Sequence, residues 1–225
     1  MTQTVLILGG TREAVAIAKG LTGQHPGWRI ITSLAGRTAE PAPVTGETRI
    51  GGFGGVAGLA DYLRDEGITR LIDATHPYAR RISANATEAA ALAGVPLDVR
   101  TRPPWTRRQG DDWQEVASEA DAAAAIPNGA RVFLALGRQH LAPFEARDDV
   151  FFIVRMVDSP AAPLPMANHA VIVGKPGDSM AEAQMLRAHA VTCIVCRNSG
   201  GDGAYGKIEA ARALGIPVIM IARPD

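Results

Sequence analysis

Short, continuous apolar runs alternate along this chain with segments in which apolar residues recur at helical spacing. The first run, residues 5–8, ends at Gly9 and Gly10, and an amphipathic pattern follows at once over 11–21. Continuous apolar runs of this length are typical of strands that are buried on both faces of a parallel sheet. Because strands and helices alternate through most of the sequence, we expect an α/β fold with mostly parallel sheets.

The same pattern predicts the other elements, with residues 40–47 as a loop. Predicted strands cover 28–33, 70–73, 95–100, 113–116, 131–136, 150–154, 171–174, 192–196 and 217–222. Predicted helices cover 56–66, 77–93, 137–147, 179–190 and 208–214, and an alanine-rich helix is expected between 116 and 131. Two prolines within 100–108 exclude a helix or a central strand, so we expect two domains, 1–101 and 102–225.

The composition excludes several classes of function. Of the 225 residues, 47% are hydrophobic, and 23 basic residues balance 23 acidic ones. A neutral chain is a poor candidate for binding nucleic acid or an anionic membrane, and no apolar run reaches the roughly 20 residues of a membrane span. The amino-terminal pattern is that of a strand rather than a signal peptide, and cysteines are few. We therefore expect a cytoplasmic protein.

Cys193 and Cys196 have the C-x-x-C spacing that is found in metal and redox sites. They lie inside an apolar strand, where this spacing directs two side chains to opposite faces, and the sequence offers no second pair of ligands. We therefore interpret both cysteines as core residues and expect no metal site.

The first strand-to-helix turn is a candidate phosphate site. Gly9 and Gly10 lack a Cβ, so the backbone can take a positive φ and a ligand can approach closely. The amides that open the following helix favour an anion. Ala14 stands near the place of the third glycine of a dinucleotide fingerprint, so an ordinary tight turn is the alternative.

Polar and small residues follow the second strand, where a nucleotide bound at the first turn would place its ribose. Ser33, Ala35, Gly36 and Arg37 occupy this position, and no acidic residue does. A hydroxyl and an arginine fork suit a ribose 2′-phosphate, which favours NADPH over NADH. The alternative is that Arg37 is a solvated loop charge.

Two further motifs stand at predicted strand ends. Four glycines surround Phe53 within 51–55, which allows backbone to approach a flat or anionic group; the alternative is a mobile lid. Asp73, Thr75 and His76 fall at the carboxyl end of a strand, on the same edge as Gly10, although His76 is equally interpreted as a helix cap or a structural histidine.

The proline-containing segment 100–108 carries four arginines and Trp105. One interpretation is a carboxylate-binding wall beside a flat apolar surface, and another is a solvated basic loop or cation–π packing of Trp105.

Taken together and in order, these motifs resemble the precorrin-6A reductase family of cobalamin biosynthesis over nearly the whole chain. The residues that carry the resemblance are Ile7-Leu8-Gly9-Gly10-Thr11 with Glu13-Ala14, Ala35-Gly36-Arg37, Gly51-Gly52-Phe53-Gly54-Gly55, Asp73-Ala74-Thr75-His76-Pro77-Tyr78-Ala79, Asn198-Ser199-Gly200-Gly201 with Lys207, and Pro217-Val218-Ile219-Met220-Ile221 with Arg223-Pro224. One departure is Arg197, where lysine is also expected in relatives.

The resemblance implies that an NADPH hydride and a proton reduce one double bond of the precorrin-6A macrocycle, which gives precorrin-6B. It also implies two Rossmann-like domains with the ligands between them, 1–101 binding NADP(H) and 102–225 contributing to the substrate site. The cobalt-containing substrate and a non-catalytic NADP-binding sensor are alternatives. A sugar epimerase or dehydrogenase is a third, although the Tyr-x-x-x-Lys pair typical of that class is absent from the sequence. The expected assembly is a monomer or a weak homo-oligomer.

The resemblance and the motifs together define the candidate site. Expected nucleotide-binding residues are Gly9, Gly10, Thr11, Arg12, Glu13, Ser33, Ala35, Gly36, Arg37, Gly52, Phe53, Asp73, Ala74 and Thr75. Expected substrate-binding residues are Arg80, Arg81, Arg102, Arg107, Arg108, Arg138, Asn198, Ser199, Gly200, Gly201 and Lys207. His76, Tyr78, Lys207 and Asp202 are candidate proton donors, and Lys207 is interpreted first as a partner of a substrate carboxylate.

Overall fold

The computed structural model describes residues 2–36, 43–160 and 162–223. The chain forms two compact units, Met1–Arg102 and Pro103–Asp225. Each unit contains one sheet in which every strand pairing is parallel. The α/β class and the parallel sheets expected from the sequence are thus confirmed.

The first unit is a five-stranded sheet with the strand order β3-β2-β1-β4-β5. Its elements are β1 (Thr4–Leu8), α1 (Arg12–Gln24), β2 (Arg29–Leu34), β3 (Glu47–Ile50), α2 (Val56–Asp65), β4 (Arg70–Asp73), α3 (Arg80–Ala93) and β5 (Leu97–Val99). Alternate residues of β1 face opposite sides of the sheet, because side chains alternate along a strand. Val5 and Ile7 pack with α1, whereas Leu6 and Leu8 pack with α2 and α3. The unit therefore has three layers.

The second unit is a six-stranded sheet with the order β6-β11-β10-β7-β8-β9. Its elements are β6 (Trp113–Val116), α4 (Glu119–Ala125), β7 (Arg131–Ala135), β8 (Phe151–Met156), β9 (His169–Val173), α5 (Ser179–Ala188), β10 (Cys193–Arg197), α6 (Gly206–Leu214) and β11 (Val218–Ile221). Phe133, Ile153 and Ile194 form one core with α5 and α6. Helix α4 packs beside β11.

Three elements differ from the sequence-based expectation. Strand β3 begins within the expected loop, and it is exposed along most of its length, so it carries no apolar period. Helix α3 begins at Arg80 rather than at Pro77, because a turn in which the Ala79 amide donates to the His76 carbonyl precedes it. The helix expected over 137–147 is two short 3₁₀ turns, since Pro143 has no N–H to continue a helix.

Cys193 and Cys196 are buried core residues, as expected. Burial raises the pKa of Cys193 to about 11 and also raises that of Cys196. A reactive or metal-binding cysteine needs a lowered thiol pKa, so we expect both thiols to be unreactive.

Candidate active site

The loops that leave β1, β2, β3 and β4 all lie at the carboxyl edge of the first sheet, because the four strands are parallel and adjacent. Ligands of open α/β sheets bind at this edge. The predicted nucleotide-binding residues of the described chain lie on these loops or at the adjoining ends of strands and helices. Arg37 lies outside the described residues.

The turn after β1 is built for close approach. A Cβ on Gly9 would lie 2.8 Å from Thr32 Cγ2, so glycine is required there for packing. Gly10 has a φ of +97°, and a Cβ on it would meet nothing within 4 Å. Its exposed backbone therefore leaves room for a ligand at the start of α1.

Thr11 joins this turn to the end of β4. Its hydroxyl Oγ1 accepts a hydrogen bond from the Ala14 amide at 3.1 Å, which caps α1. The same hydroxyl donates to the Ala74 carbonyl at 2.7 Å. The first turn and the Asp73-Ala74-Thr75 run are thus held together by one side chain.

Glu13, in the first turn of α1, forms an ion pair of 2.7 Å with Arg102. Partial burial alone would raise the pKa of Glu13, but a backbone hydrogen bond and Arg102 outweigh it and the pKa is lowered. The structure places Arg102, an expected substrate-binding residue, beside the candidate phosphate turn and within the same compact unit.

The end of β2 carries a buried hydroxyl next to a fixed guanidinium. Ser33 is 7% exposed and is paired in register with Arg49 of β3. Arg49 Nη1 donates to the Gly51 carbonyl at 2.6 Å and lies 3.4 Å from Ser33 Oγ, and Nη2 donates to the Gly52 carbonyl at 2.7 Å. Its Cζ lies 3.8 Å from the centroid of the Phe53 ring. Arg49 therefore orders the glycine-rich loop.

The segment after β4 is ordered by its own side chains. Asp73 Oδ1 accepts hydrogen bonds from the Thr75 amide at 3.0 Å and from Thr75 Oγ1 at 2.7 Å. His76 Nδ1 accepts from the Tyr78 amide at 3.3 Å, and the two rings lie 5.6 Å apart. Half-buried His76 and Tyr78 thus lie at the same edge of the sheet as Gly10. The Asp73 carboxylate stabilises the conformation of the loop through its hydrogen bonds with Thr75.

In the second unit, Asn198 fixes the segment around Trp105. Its Oδ1 accepts from the Trp105 amide at 2.7 Å, and its Nδ2 donates to the Trp105 carbonyl at 3.0 Å. Trp105 Nε1 donates to the Gly201 carbonyl at 2.7 Å, and the side chain is only 9% exposed. Trp105 is therefore a core residue with cation–π packing, which was the alternative interpretation, and it does not present a flat apolar surface to solvent.

That packing involves Lys207, whose Nζ lies 4.7 Å from the centroid of the Trp105 ring. Lys207 is 5% exposed and donates to the Ala204 carbonyl at 2.7 Å. Burial lowers its pKa. The alternative of an exposed helix lysine is wrong, and the lowered pKa is the condition that a proton-donating lysine requires.

The other predicted substrate-binding residues are spread over both units. Arg80, Arg81 and Arg138 are exposed near strand ends, Arg107 donates to the Trp113 carbonyl, and Arg108 lies over the Tyr205 ring at 5.0 Å. The Ser199 carbonyl accepts from Arg223 at 2.9 Å. Gly200 has a φ of +67° and approaches the Pro103 carbonyl closely.

Sequence reasoning missed two groups of residues. Arg49 belongs to no motif of the sequence, and its neighbour across the sheet could not be known without the register of β2 and β3. In the second unit, Arg197 donates to Glu119 and to His140 Nδ1. These three residues are far apart in sequence. The one sequence feature they share is a position at or just after the carboxyl end of a parallel strand of the second sheet.

Within residues 2–36, 43–160 and 162–223, no cluster of His, Cys, Asp and Glu side chains is arranged to hold a metal ion. Over the same part of the chain, no helix has both the length and the apolar character needed to cross a bilayer.

Comparison with known proteins agrees with this geometry. The model of the family described as precorrin-6x reductase CbiJ/CobK matches residues 4–225. The chain is 49% identical over 222 residues to the precorrin-6A reductase of Rhodobacter capsulatus, a match covering 98% of this chain and 88% of that protein. It is 28% identical over 236 residues to the cobalt-precorrin-6A reductase of Priestia megaterium, with 98% and 90% covered. The solved structure of a CobK precorrin-6A reductase superposes with a TM-score of 0.95 at 47% identity, covering 100% of this chain and 89% of that one. By its sequence and its fold, the chain belongs to the precorrin-6x reductase CbiJ/CobK family.

Proposed function

We propose that this protein catalyses the NADPH-dependent reduction of one double bond of precorrin-6A to give precorrin-6B in cobalamin biosynthesis. Membership of a reductase family favours this catalytic interpretation over a sensor module. The cobalt-free substrate is favoured because the Rhodobacter relative, named for precorrin-6A, is 49% identical, whereas the Priestia relative, named for the cobalt form, is 28% identical.

The observation that carries the choice of cofactor is the carboxyl edge of the first sheet. The open backbone at Gly10 and the amino end of α1 suit the pyrophosphate, while Ser33 and Arg49 suit a phosphorylated ribose. Arg37 is also proposed to bind the phosphorylated ribose, because it follows β2 in the sequence. When bound, the reduced nicotinamide supplies the hydride.

The residues of the chain have three tasks in this proposal. The glycine turn and the loops after β2 and β3 hold the nucleotide, and the arginines Arg80, Arg81, Arg107, Arg108 and Arg138 bind substrate carboxylates. His76, Tyr78 and Lys207 are the candidate proton donors. Burial of Lys207 and its lowered pKa support the transfer of a proton more than pairing with a carboxylate. The reaction is proposed to take place in the cytoplasm.

The test is the oxidation of NADPH, followed by nicotinamide absorbance under anaerobic conditions with and without precorrin-6A. We expect NADPH to be consumed only when the macrocycle is present, with one NADPH oxidised for each macrocycle reduced. The reaction should be faster with NADPH than with NADH, and faster with precorrin-6A than with its cobalt-containing form. Gly10→Val should abolish NADPH binding, because the side chain would occupy the space that the ligand needs.

The matched control is Gly94→Val in the same unit. Gly94 also has a positive φ, +68°, and no atom within 4 Å of a Cβ, so the backbone strain is comparable while no ligand is expected there. Equal loss of NADPH binding in both variants would reject the phosphate turn, and an unchanged macrocycle spectrum with wild-type protein would reject the function.

A further inference from the structure

Arg49 is an immobilised cation at the carboxyl edge of the first sheet. Two backbone carbonyls, those of Gly51 and Gly52, accept from its guanidinium, and the Phe53 and Tyr62 ring centroids lie 3.8 and 5.1 Å from Cζ. A side chain held from several sides loses little rotamer freedom when it binds a ligand. Arg49 is therefore pre-organised.

The charge of Arg49 is not balanced by a carboxylate in the part of the chain that the structure describes. Its hydrogen-bond acceptors there are carbonyls and the Ser33 hydroxyl, all of them neutral. Arg29, at the opposite end of the adjacent strand, pairs instead with Glu47 and Glu66, each at 2.8 Å. Ordering the loop does not require an unbalanced charge, whereas binding an anion does.

We infer that Arg49 is a specificity-determining residue that, together with Ser33, binds the 2′-phosphate of an NADP-type ribose. This inference rests on the proposed function, because it assigns one group of the nucleotide to one pair of residues. Ser33 lies at the end of β2, and its in-register pairing with Arg49 places the guanidinium beside the position expected for the ribose. A guanidinium fork offers the phosphate two parallel donors and a hydroxyl offers a third. Sequence reasoning assigned this task to Ser33 and Arg37 alone.

The experiment compares the binding of 2′,5′-ADP and 5′-ADP to wild-type protein, Arg49→Gln and Arg49→Lys by calorimetry. Loss of a charge-assisted contact should weaken 2′,5′-ADP about tenfold or more in Arg49→Gln. Binding of 5′-ADP should change less than about threefold, and Arg49→Lys should retain part of the preference because it keeps the charge. Ser33→Ala should lose a smaller part of the preference for 2′,5′-ADP over 5′-ADP. This second variant still tests the inference if Arg49→Gln does not fold.

The control is Arg64→Gln, which removes another arginine that donates to a backbone carbonyl, that of Leu92 at 2.8 Å, on the surface of the same unit. It should leave both affinities unchanged. Equal weakening of the two nucleotides in Arg49→Gln would mean that Arg49 only orders the loop, and an unchanged preference would leave the 2′-phosphate to Arg37; either result overturns the inference alone. If wild-type protein binds neither nucleotide, the proposed function fails as well.

Discussion

Lys207 is a residue whose environment opposes its charge. Its ammonium is buried against the Trp105 ring with one carbonyl acceptor, and burial lowers its pKa. Between that lowered pKa and the unfolded value of about 10.4, the unfolded chain binds more protons than the folded one. The free energy of unfolding therefore gains a contribution from Lys207 that rises with pH in this window.

We expect this contribution to disappear in Lys207→Met. As the pH rises from the lowered pKa of Lys207 toward the unfolded value of about 10.4, wild-type protein should gain stability relative to the variant, by at most about 1.4 kcal/mol per pH unit. Denaturant unfolding at several pH values measures the difference. Cys193, with a pKa raised to about 11, destabilises both proteins alike as the pH rises, so its effect cancels. The Cys196 thiol interacts electrostatically with Lys207, so both proteins are compared in a Cys196→Ala background. Parallel stability curves would show that Lys207 titrates normally.

For single residues, the sequence predicts the location of the candidate site more accurately than it predicts the contacts of each side chain. Gly10 and Thr11 were placed from the apolar run that stops before them, and the structure puts both at the carboxyl edge. Trp105 was misplaced because its burial depends on Asn198 and Gly201, more than ninety positions away. No periodicity within 100–108 carries that information.

Among the elements, the loop after β10 and the segment around Trp105 form one locked structure. The side-chain amide of Asn198 bonds to the backbone N–H and carbonyl of Trp105, as a neighbouring strand would. Arg223 donates to the carbonyls of Asn198 and Ser199, each at 2.9 Å. Gly200 lies between the Pro103 carbonyl and Arg223, where a Cβ would overlap both. The resemblance predicted this glycine as a substrate contact, and the packing supplies a structural reason for it.

Gly200→Ala should therefore destabilise the second unit by at least about 1 kcal/mol more than Gly129→Ala. Both glycines have a positive φ, +67° and +72°, but a Cβ on Gly129 meets nothing within 4 Å. The two variants share the backbone strain, and only the first adds the overlap. Thermal and denaturant unfolding of both proteins measure the difference, and equal losses would mean that the loop moves aside freely.

The boundaries of elements show which physical signals a sequence carries. Strands β1 and β10 were predicted because burial on both faces leaves a continuous apolar run over most of each strand. Strand β3 was missed because it lies at the edge of the sheet and is exposed along most of its length, so its composition resembles a loop. The glycine run beyond it is ordered by Arg49, a contact that depends on this unpredicted strand.

For the whole molecule, the alternation of elements was sufficient to predict the α/β class and two parallel sheets, because the long crossover connections between parallel strands are usually helices. The family resemblance supplied the reaction, which no periodicity contains. The geometry adds the convergence of four loops at the carboxyl edge of the first sheet. The central claim that follows is hydride transfer from NADPH to the macrocycle.

The most direct test uses NADPH that carries deuterium at both C4 positions, incubated with the protein and precorrin-6A, followed by mass spectrometry of the macrocycle. We predict that the reduced product contains one deuterium, because a single hydride comes from the nicotinamide and the accompanying proton exchanges with solvent. A reduced product without deuterium, or an unreduced macrocycle, would contradict the account.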